Sequence, residues 1–405
     1  MKKHFFSVVL LFTLFTPISA FSSDSDVAFL KKLVEINSGS QNFDGVRAVQ
    51  KLVEAELTQL GFVTSYIPNP LGVTQSASLL VGILKGKRQD RFITLITHSD
   101  TVFEPDSGFL HFTDDGKVLR GPGVGDDKAG IVIALSALKL FLAHQKDLPY
   151  SIRFINSASE EASSVGFEPI FQSMGNDSVM ALGFEDSLAD GSIAEGRNGI
   201  AKYEIHVKGK EAHSGSNHPD GANACIELSM KLVALSKLTD YKKGITVNTG
   251  YMNGGTGKFN IVCGSAEAKM EIRFKNAAVM KATKEKAEKI LKTTLVMSDN
   301  GHIPTVTEYK EDGGKIPFSM NDKTKPFIGK YLKIVSRIES RKIVSKHLGG
   351  VADINYMANP NLIAIDDLGP IGGAAHTKDE HILKSSIETR AKAFDEFLSW
   401  AIIKI

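Results

Sequence analysis

Four short apolar runs limit what this chain can fold into: Ser78 to Leu84, Phe92 to Thr97, Ser151 to Asn156 and Leu362 to Ile365. Each is too uniformly apolar to leave one face in water, so each reads as a strand covered on both sides. Ala129 to Ala143 follows one of them as a long apolar helix. Strands that alternate with helices imply an α/β fold with a mostly parallel sheet flanked by helices, and ligands then collect at the carboxyl ends of the strands. Ahead of the sheet, residues 27 to 61 read as a helical region, with Leu52, Leu57 and Leu60 three to five apart and Gly61 as a stop. The last pattern is a helix from Ser385 to Ile403.

Between residues 199 and 308 the pattern changes. Ala201 to Val207 and Ala266 to Phe274 alternate apolar and polar, as one-sided antiparallel strands do, while Ala222 to Leu238 and Ala277 to Leu295 read as amphipathic helices. This is a small α+β domain inserted into the main one, which then spans 21 to 198 and 309 to 405. At 405 residues the chain is long enough for more than one packed core.

Residues 1 to 20 have the build of a secretory signal: Lys2 and Lys3, an apolar stretch from Phe5 to Phe15, then Pro17, Ile18, Ser19 and Ala20. That stretch is short of the roughly 20 residues a membrane span needs. The expected protein is therefore periplasmic or secreted, with no membrane partner once the signal is removed. Its removal leaves 46 basic residues against 46 acidic, a balance that offers no footing for nucleic acid or an anionic membrane. Only Cys225 and Cys263 occur, too few for a disulfide framework. Two separate buried thiols are the expectation, with a single bridge as the alternative.

The chemistry sits where strands end. Phe92 to Thr97 runs into His98, Ser99 and Asp100, an imidazole two residues from a carboxylate that can accept its second N–H. Then come Arg120, Gly121, Pro122, Gly123, Val124, Gly125, Asp126, Asp127, Lys128, Ala129 and Gly130, a glycine-rich turn that delivers two acids just before a helix. Acids in such a turn would repel a phosphate, and the Walker spacing is absent. Ser151 to Asn156 leads to Ser159, Glu160 and Glu161; Val179 to Phe184 leads to Glu185 and Asp186; and the small-residue loop Ile371 to Ala375 leads to His376. Each acid pair alone could be a solvated turn. Together, imidazoles and carboxylates at several strand ends suit Zn²⁺, and a pair of metals about 3.5–4 Å apart can share a carboxylate. One acid kept off the metals would serve as general base.

These residues, in this order, resemble the co-catalytic metallopeptidase family that includes aminoacylases, glutamate carboxypeptidases, acetylornithine deacetylases and succinyl-diaminopimelate desuccinylases. The motifs are His98-Ser99-Asp100, the turn from 121 to 130, Glu160-Glu161 and His376, and the match extends over nearly all of the chain after the signal. The resemblance implies a zinc-exopeptidase-like fold with an inserted dimerisation or lid domain. It implies two Zn²⁺ per subunit, with Co²⁺ or Mn²⁺ as alternatives: His98 on one ion, Asp127 bridging, Glu161 and His376 on the other. Glu160 would be the general base and Asp100 would orient His98. The fifth ligand falls in Phe184-Glu185-Asp186, where the local string favours Glu185 over Asp186. In the inserted domain, Gly209 to Gly215 resembles the segment whose histidine, here His213, stabilises an oxyanion, often in the partner subunit of a homodimer. Asn260 and Arg273 match positions that hold the oxyanion or the substrate carboxylate, a role favoured for Arg273 over a surface ion pair on its strand.

Where relatives carry a GGGTDA-like loop, this chain has Gly349-Gly350-Val351-Ala352-Asp353-Ile354, so contact with the substrate's terminal group departs from the pattern. The leading expectation is a carboxypeptidase that releases C-terminal glutamate or a similar residue from a small peptide. The alternatives are a deacylase of N-acyl amino acids and a non-catalytic binding protein on the same fold.

Overall fold

The computed structural model describes residues 23 to 405, so the expected export signal lies outside the described residues. A six-stranded sheet orders its strands as Val63–Ile67, Leu79–Leu84, Tyr150–Ser157, Arg88–His98, Ser178–Gly183 and Ile363–Ile365. The last four are mutually parallel, and the first two add an antiparallel edge. All four parallel strands therefore end on one side, delivering His98, the Glu160 loop, Glu185 and Asp366 to a common rim.

The mostly parallel sheet is as expected. The edge strand Val63–Ile67 was not anticipated, because it is largely exposed and lacks an apolar run. The helical region from 27 to 61 is two helices, Ser23–Val34 and Phe43–Gln59. Asn37, Ser38, Gly39 and Ser40 break it, and Asn42 caps the second helix by accepting the Gly45 N–H at 3.2 Å. The break has a use: Ser40 Oγ donates to Asp100 at 2.7 Å.

Helix Gly130–His144 is buried almost all round, which explains its unbroken apolar sequence. It packs against the C-terminal helix Lys384–Ala401, whose Phe394 meets Phe184 edge to face at 4.9 Å. The strand end that carries Glu185 is thus seated on aromatic packing.

The second sheet is antiparallel, ordered Ile245–Gly254, Ser265–Phe274, Gly199–Lys208 and Val306–Lys315. Ala201, Tyr203, Ile205 and Val207 alternate inward with Ala266, Ala268, Met270 and Ile272, under helices Ala224–Ser236 and Ala277–Lys292. The expected boundary at 308 falls inside the last strand, which continues to Lys315.

The expectation of two separate thiols is overturned. Cys225, in the first turn of helix Ala224–Ser236, is disulfide-bonded to Cys263, with Cα atoms 5.7 Å apart. Both residues are only half-buried, and the Ala224 N–H donates to the Cys263 carbonyl at 2.8 Å, which brings the two backbones together. The pairing joins a helix start to a strand entry 38 residues away, a proximity that spacing alone cannot reveal.

A side chain at Gly130 would overlap both Asp127 Oδ1 and the Phe184 carbonyl. Gly130→Ala should therefore destabilise the fold by roughly 1–3 kcal/mol through overpacking. At Gly329, inside helix Lys325–Ile338, nothing lies within 4 Å of an added Cβ, so Gly329→Ala should stabilise by about 0.5–1 kcal/mol. Urea denaturation of both variants tests the pair, and equal effects would contradict the tight approach at Gly130.

Candidate metal centre

Strand Arg88–His98 places His98 at the rim with only 1% of its side chain exposed. Its Nδ1 lies 3.0 Å from the Asp100 carbonyl oxygen and 3.4 Å from Asp100 Oδ1. With the proton on Nδ1, Nε2 is left facing Asp126 Oδ1 at 2.8 Å and Glu185 Oε2 at 3.6 Å. Asp100 thus orients the ring mainly through its backbone. Its carboxylate instead accepts the Glu160 N–H at 2.9 Å and the Glu161 N–H at 3.1 Å, and so holds the loop that carries both acids.

The glycine-rich turn settles which of its acids faces the site. Asp126 lies between the imidazoles, its Oδ2 3.1 Å from His376 Nε2 while Oδ1 meets His98. Asp127, the expected bridging residue, turns away. Its Oδ2 accepts the His98 backbone N–H at 3.1 Å, and it is 1% exposed against the start of helix Gly130–His144. The correction has a backbone reason. The turn leaves helical geometry at both acids, with ψ of 91° at Asp126 and 23° at Asp127, so the adjacent side chains point apart in a way no helical or strand period describes. The peptide bond between them is cis.

What holds the turn was missed in the sequence. Glu380, 2% exposed, accepts N–H groups from Gly123 at 3.2 Å, Gly125 at 2.8 Å and Asp126 at 3.1 Å. It follows His376 by four residues, so one short C-terminal segment both supplies an imidazole and secures the carboxylate beside it. Its charged neighbours Lys378 and Asp379 make it look like part of a solvated turn.

Glu161 Oε2 sits 3.1 Å from His376 Nε2. Glu160 Oε1 sits 2.9 Å from Lys315 Nζ, which also approaches Asp353 Oδ1 at 3.6 Å. Lys315, the last residue of the second sheet's edge strand, was a second omission; it is buried, and its sequence context is only a glycine pair at a strand end. Glu185 faces His98 at 3.6 Å, whereas Asp186, pushed up to about 7 by burial and then by Asp126, makes no hydrogen bond or ion pair with either imidazole among the described residues. Of the two, Glu185 is the acid beside the imidazole.

Ligand-capable atoms converge in two groups, His98 with Glu160 and Glu185, and Asp126 with Glu161 and His376, each within 4.8 Å. Burial, then Asp126, pushes Glu161 up to about 7, and burial holds Glu185 well above the usual range. Burial alone would discharge His98, but Glu185, Asp100 and Asp126 outweigh it and hold its pKa well up. Hydrogen bonds to Asp126 and Glu161 push His376 up to about 11. Four carboxylates and two imidazoles therefore share a partly buried cluster, in which three of the acids and both imidazoles hold protons more readily than free groups do. Divalent ions would displace those protons, and mixed nitrogen and oxygen donors with a shared carboxylate fit two of them.

The inserted-domain residues are distributed differently. Arg273 donates from Nε to Glu271 at 2.9 Å and from NH1 to the Gly349 carbonyl at 2.9 Å, so it is both an ion pair and a reach across to the departing loop. His213 and Asn260 are brought to each other, since the Ser214 N–H donates to the Asn260 carbonyl at 3.0 Å. Asn260 and His213 are both exposed, and among the described residues no hydrogen bond joins either side chain to the cluster.

Residues 94 to 400 match the model of peptidase family M20/M25/M40. Carboxypeptidase G2 of Pseudomonas sp. strain RS-16 is 28% identical over 375 residues, 89% of this chain and 85% of its own length. Succinyl-diaminopimelate desuccinylase of Hydrogenovibrio crunogenus is 24% identical over 386 residues, 89% of this chain and 95% of that one. The M20 family metallo-carboxypeptidase Sso-CP2 from Sulfolobus solfataricus superposes with a TM-score of 0.70 at 17% identity, over 94% of this chain and 100% of its own. With the convergent acids and imidazoles at its rim, the chain belongs to peptidase family M20/M25/M40, a family of metal-dependent hydrolases.

Proposed function

We propose that the chain is an exported dizinc carboxypeptidase that releases C-terminal glutamate or a similar amino acid from small peptides. The observation that carries this reading is the Asp126 carboxylate set between His98 and His376, with Glu160 near His98 and tied to a lysine. His98, Asp126 and Glu185 would hold one ion, and Asp126, Glu161 and His376 the other. Bound there, the metals would polarise the scissile carbonyl and acidify a water.

The chain's own groups do the rest. Burial raises Glu160 above the usual carboxylate range, against the pull of Lys315, which suits it to take a proton from water and return it to the leaving amine. Arg273, anchored over the Gly349 loop, offers a planar fork for the substrate's free carboxylate. Lys202, half-buried on the neighbouring strand with Nζ 3.4 Å from Ser163 Oγ, adds a second cation near the Glu160 loop, which favours an acidic residue at the cleaved end. Similarity to carboxypeptidase G2 supports this reading. Similarity to the desuccinylase supports the second, a deacylase of N-acyl amino acids. A binding protein would have no use for Glu160 beside a full set of metal-binding side chains.

A homodimer is part of the proposal. Ile226, Met230 and Val233 form an exposed apolar stripe on helix Ala224–Ser236, and strand Ile245–Gly254 is an edge of the second sheet. A second copy would cover both. His213 accepts the Gly215 and Ser216 N–H groups on Nδ1, so a neutral ring carries its proton on Nε2, ready to donate to a developing oxyanion in the partner's site.

Glu160→Ala should keep its metals by elemental analysis yet lose about 10²–10⁴-fold in kcat. Mixed with His213→Ala subunits and allowed to exchange, it should regain part of the activity; full activity in the single variant would contradict the proton role. The substrate is tested on peptidyl and N-acyl glutamates beside N-acetyl amino acids, with and without chelator. Chelator-sensitive release of glutamate is the expected result, and activity confined to acetylated amino acids would establish the deacylase instead.

A further inference from the structure

Residues 255 to 264 form a glycine-rich loop, exposed from 255 to 260 and with Val262 buried, that has left-handed backbone at Gly255 and Gly257. Such a segment has much conformational freedom to lose on ordering. It nevertheless forms one side of the arm that carries both donor side chains. The Val262 N–H donates to the Ala212 carbonyl at 2.9 Å, the Ser214 N–H to the Asn260 carbonyl at 3.0 Å, and the Gly209 N–H to the Gly264 carbonyl at 2.8 Å. His213 and Ile261 face each other across this short antiparallel ladder. The arm is two partly exposed segments zipped together by backbone bonds, with Val262 turned inward.

Among the described residues, one covalent cross-link ties the arm to something rigid. Cys263 is bonded to Cys225, and Cys225 belongs to a helix that is firmly seated in the second domain. Asn223 caps it by accepting the Ile226 N–H at 3.1 Å, and Ala224, Leu228 and Leu235 are buried. The buried Lys231, 3.1 Å from Glu227, also donates to the Leu291 and Thr293 carbonyls, both at 2.6 Å, beneath the neighbouring helix. At the other end of the loop, the Gly255 N–H donates to the Ser265 carbonyl at 2.9 Å, which closes the base beside the sulfurs.

We infer that the Cys225–Cys263 disulfide is a positioning element for catalysis: it fixes the His213 and Asn260 arm to the helix, so that the donors are held in place before the oxyanion forms. The inference rests on the proposed donor role of His213. Its location agrees, since the bond lies at the margin of the second domain's core and away from the metal cluster, at the root of the one exposed element to which a catalytic donor is assigned. Preorganised donors lose their advantage when they must be ordered during the reaction.

The test is Cys225→Ser/Cys263→Ser in the full-length protein, alone and combined with His213→Ala. Alone, it should lower kcat about ten- to hundredfold, keep KM within about twofold and retain both metals, as expected for a misplaced transition-state contact. Hydrogen exchange should quicken across 209 to 215 and 255 to 264 while the helix beneath stays protected. In the His213→Ala background the same double substitution should change kcat little. Undiminished kcat in the serine variant, or an equal further loss without His213, would overturn the positioning role. Undiminished kcat in His213→Ala itself would instead remove the donor role proposed above. If the serine pair fails to fold, Cys225→Ala/Cys263→Val, which keeps the site apolar, is read in the same way.

Discussion

The carboxylate of Asp126, set between two imidazoles, is the constraint on which the rest of the molecule depends. One imidazole comes from a strand end 28 residues before it and the other from a loop 250 residues after it. Nothing local brings three such segments together. The parallel sheet aligns the strand ends, helix Gly130–His144 fixes the exit of the glycine-rich turn, and Glu380 binds that turn to the His376 segment through three backbone N–H groups. The fold is a device for joining distant parts of the chain at a point.

Charge explains why that point needs partners. Burial and mutual repulsion raise Glu160, Glu161 and Glu185, whereas the two imidazoles hold Asp126 below the usual carboxylate range, so the acids compete for positive charge at this point. Lys315 relieves one of the acids from the direction of the second sheet. It makes the two domains electrostatically dependent, because the acid that would move protons is balanced by a side chain from the last strand of the insertion. Arg273 and Lys202 cross in the same direction, to the Gly349 carbonyl and to Ser163 Oγ in the loop after Glu160.

Much of this was legible in the sequence, for identifiable reasons. Strands buried on both faces announce themselves by unbroken apolar runs, and the residues after them are displayed at the rim by topology alone. That logic pointed to His98, Glu160, Glu161 and Glu185, while His376, which follows a small-residue loop, was singled out by the family resemblance. It failed between Asp126 and Asp127, because both follow the same glycines and only an irregular backbone decides which one faces inward. It passed over Glu380 and Lys315, whose significance is a distant partner rather than a local pattern. The cysteines illustrate the same limit: half-buried and 38 residues apart, they are joined by the packing of a helix start on a strand entry. The exposed edge strand Val63–Ile67 was invisible for the opposite reason, since it buries too little to need an apolar sequence.

The central claim is that Asp126, and not its neighbour, is the shared ligand. Zinc titration of metal-free Asp126→Asn and Asp127→Asn by calorimetry tests it directly. Asp126→Asn should lose tight binding at both sites, because one carboxylate serves both histidines, whereas Asp127→Asn, altered at a group that faces the His98 backbone, should still bind two ions. Two tight sites in Asp126→Asn, with binding lost in Asp127→Asn, would contradict the account.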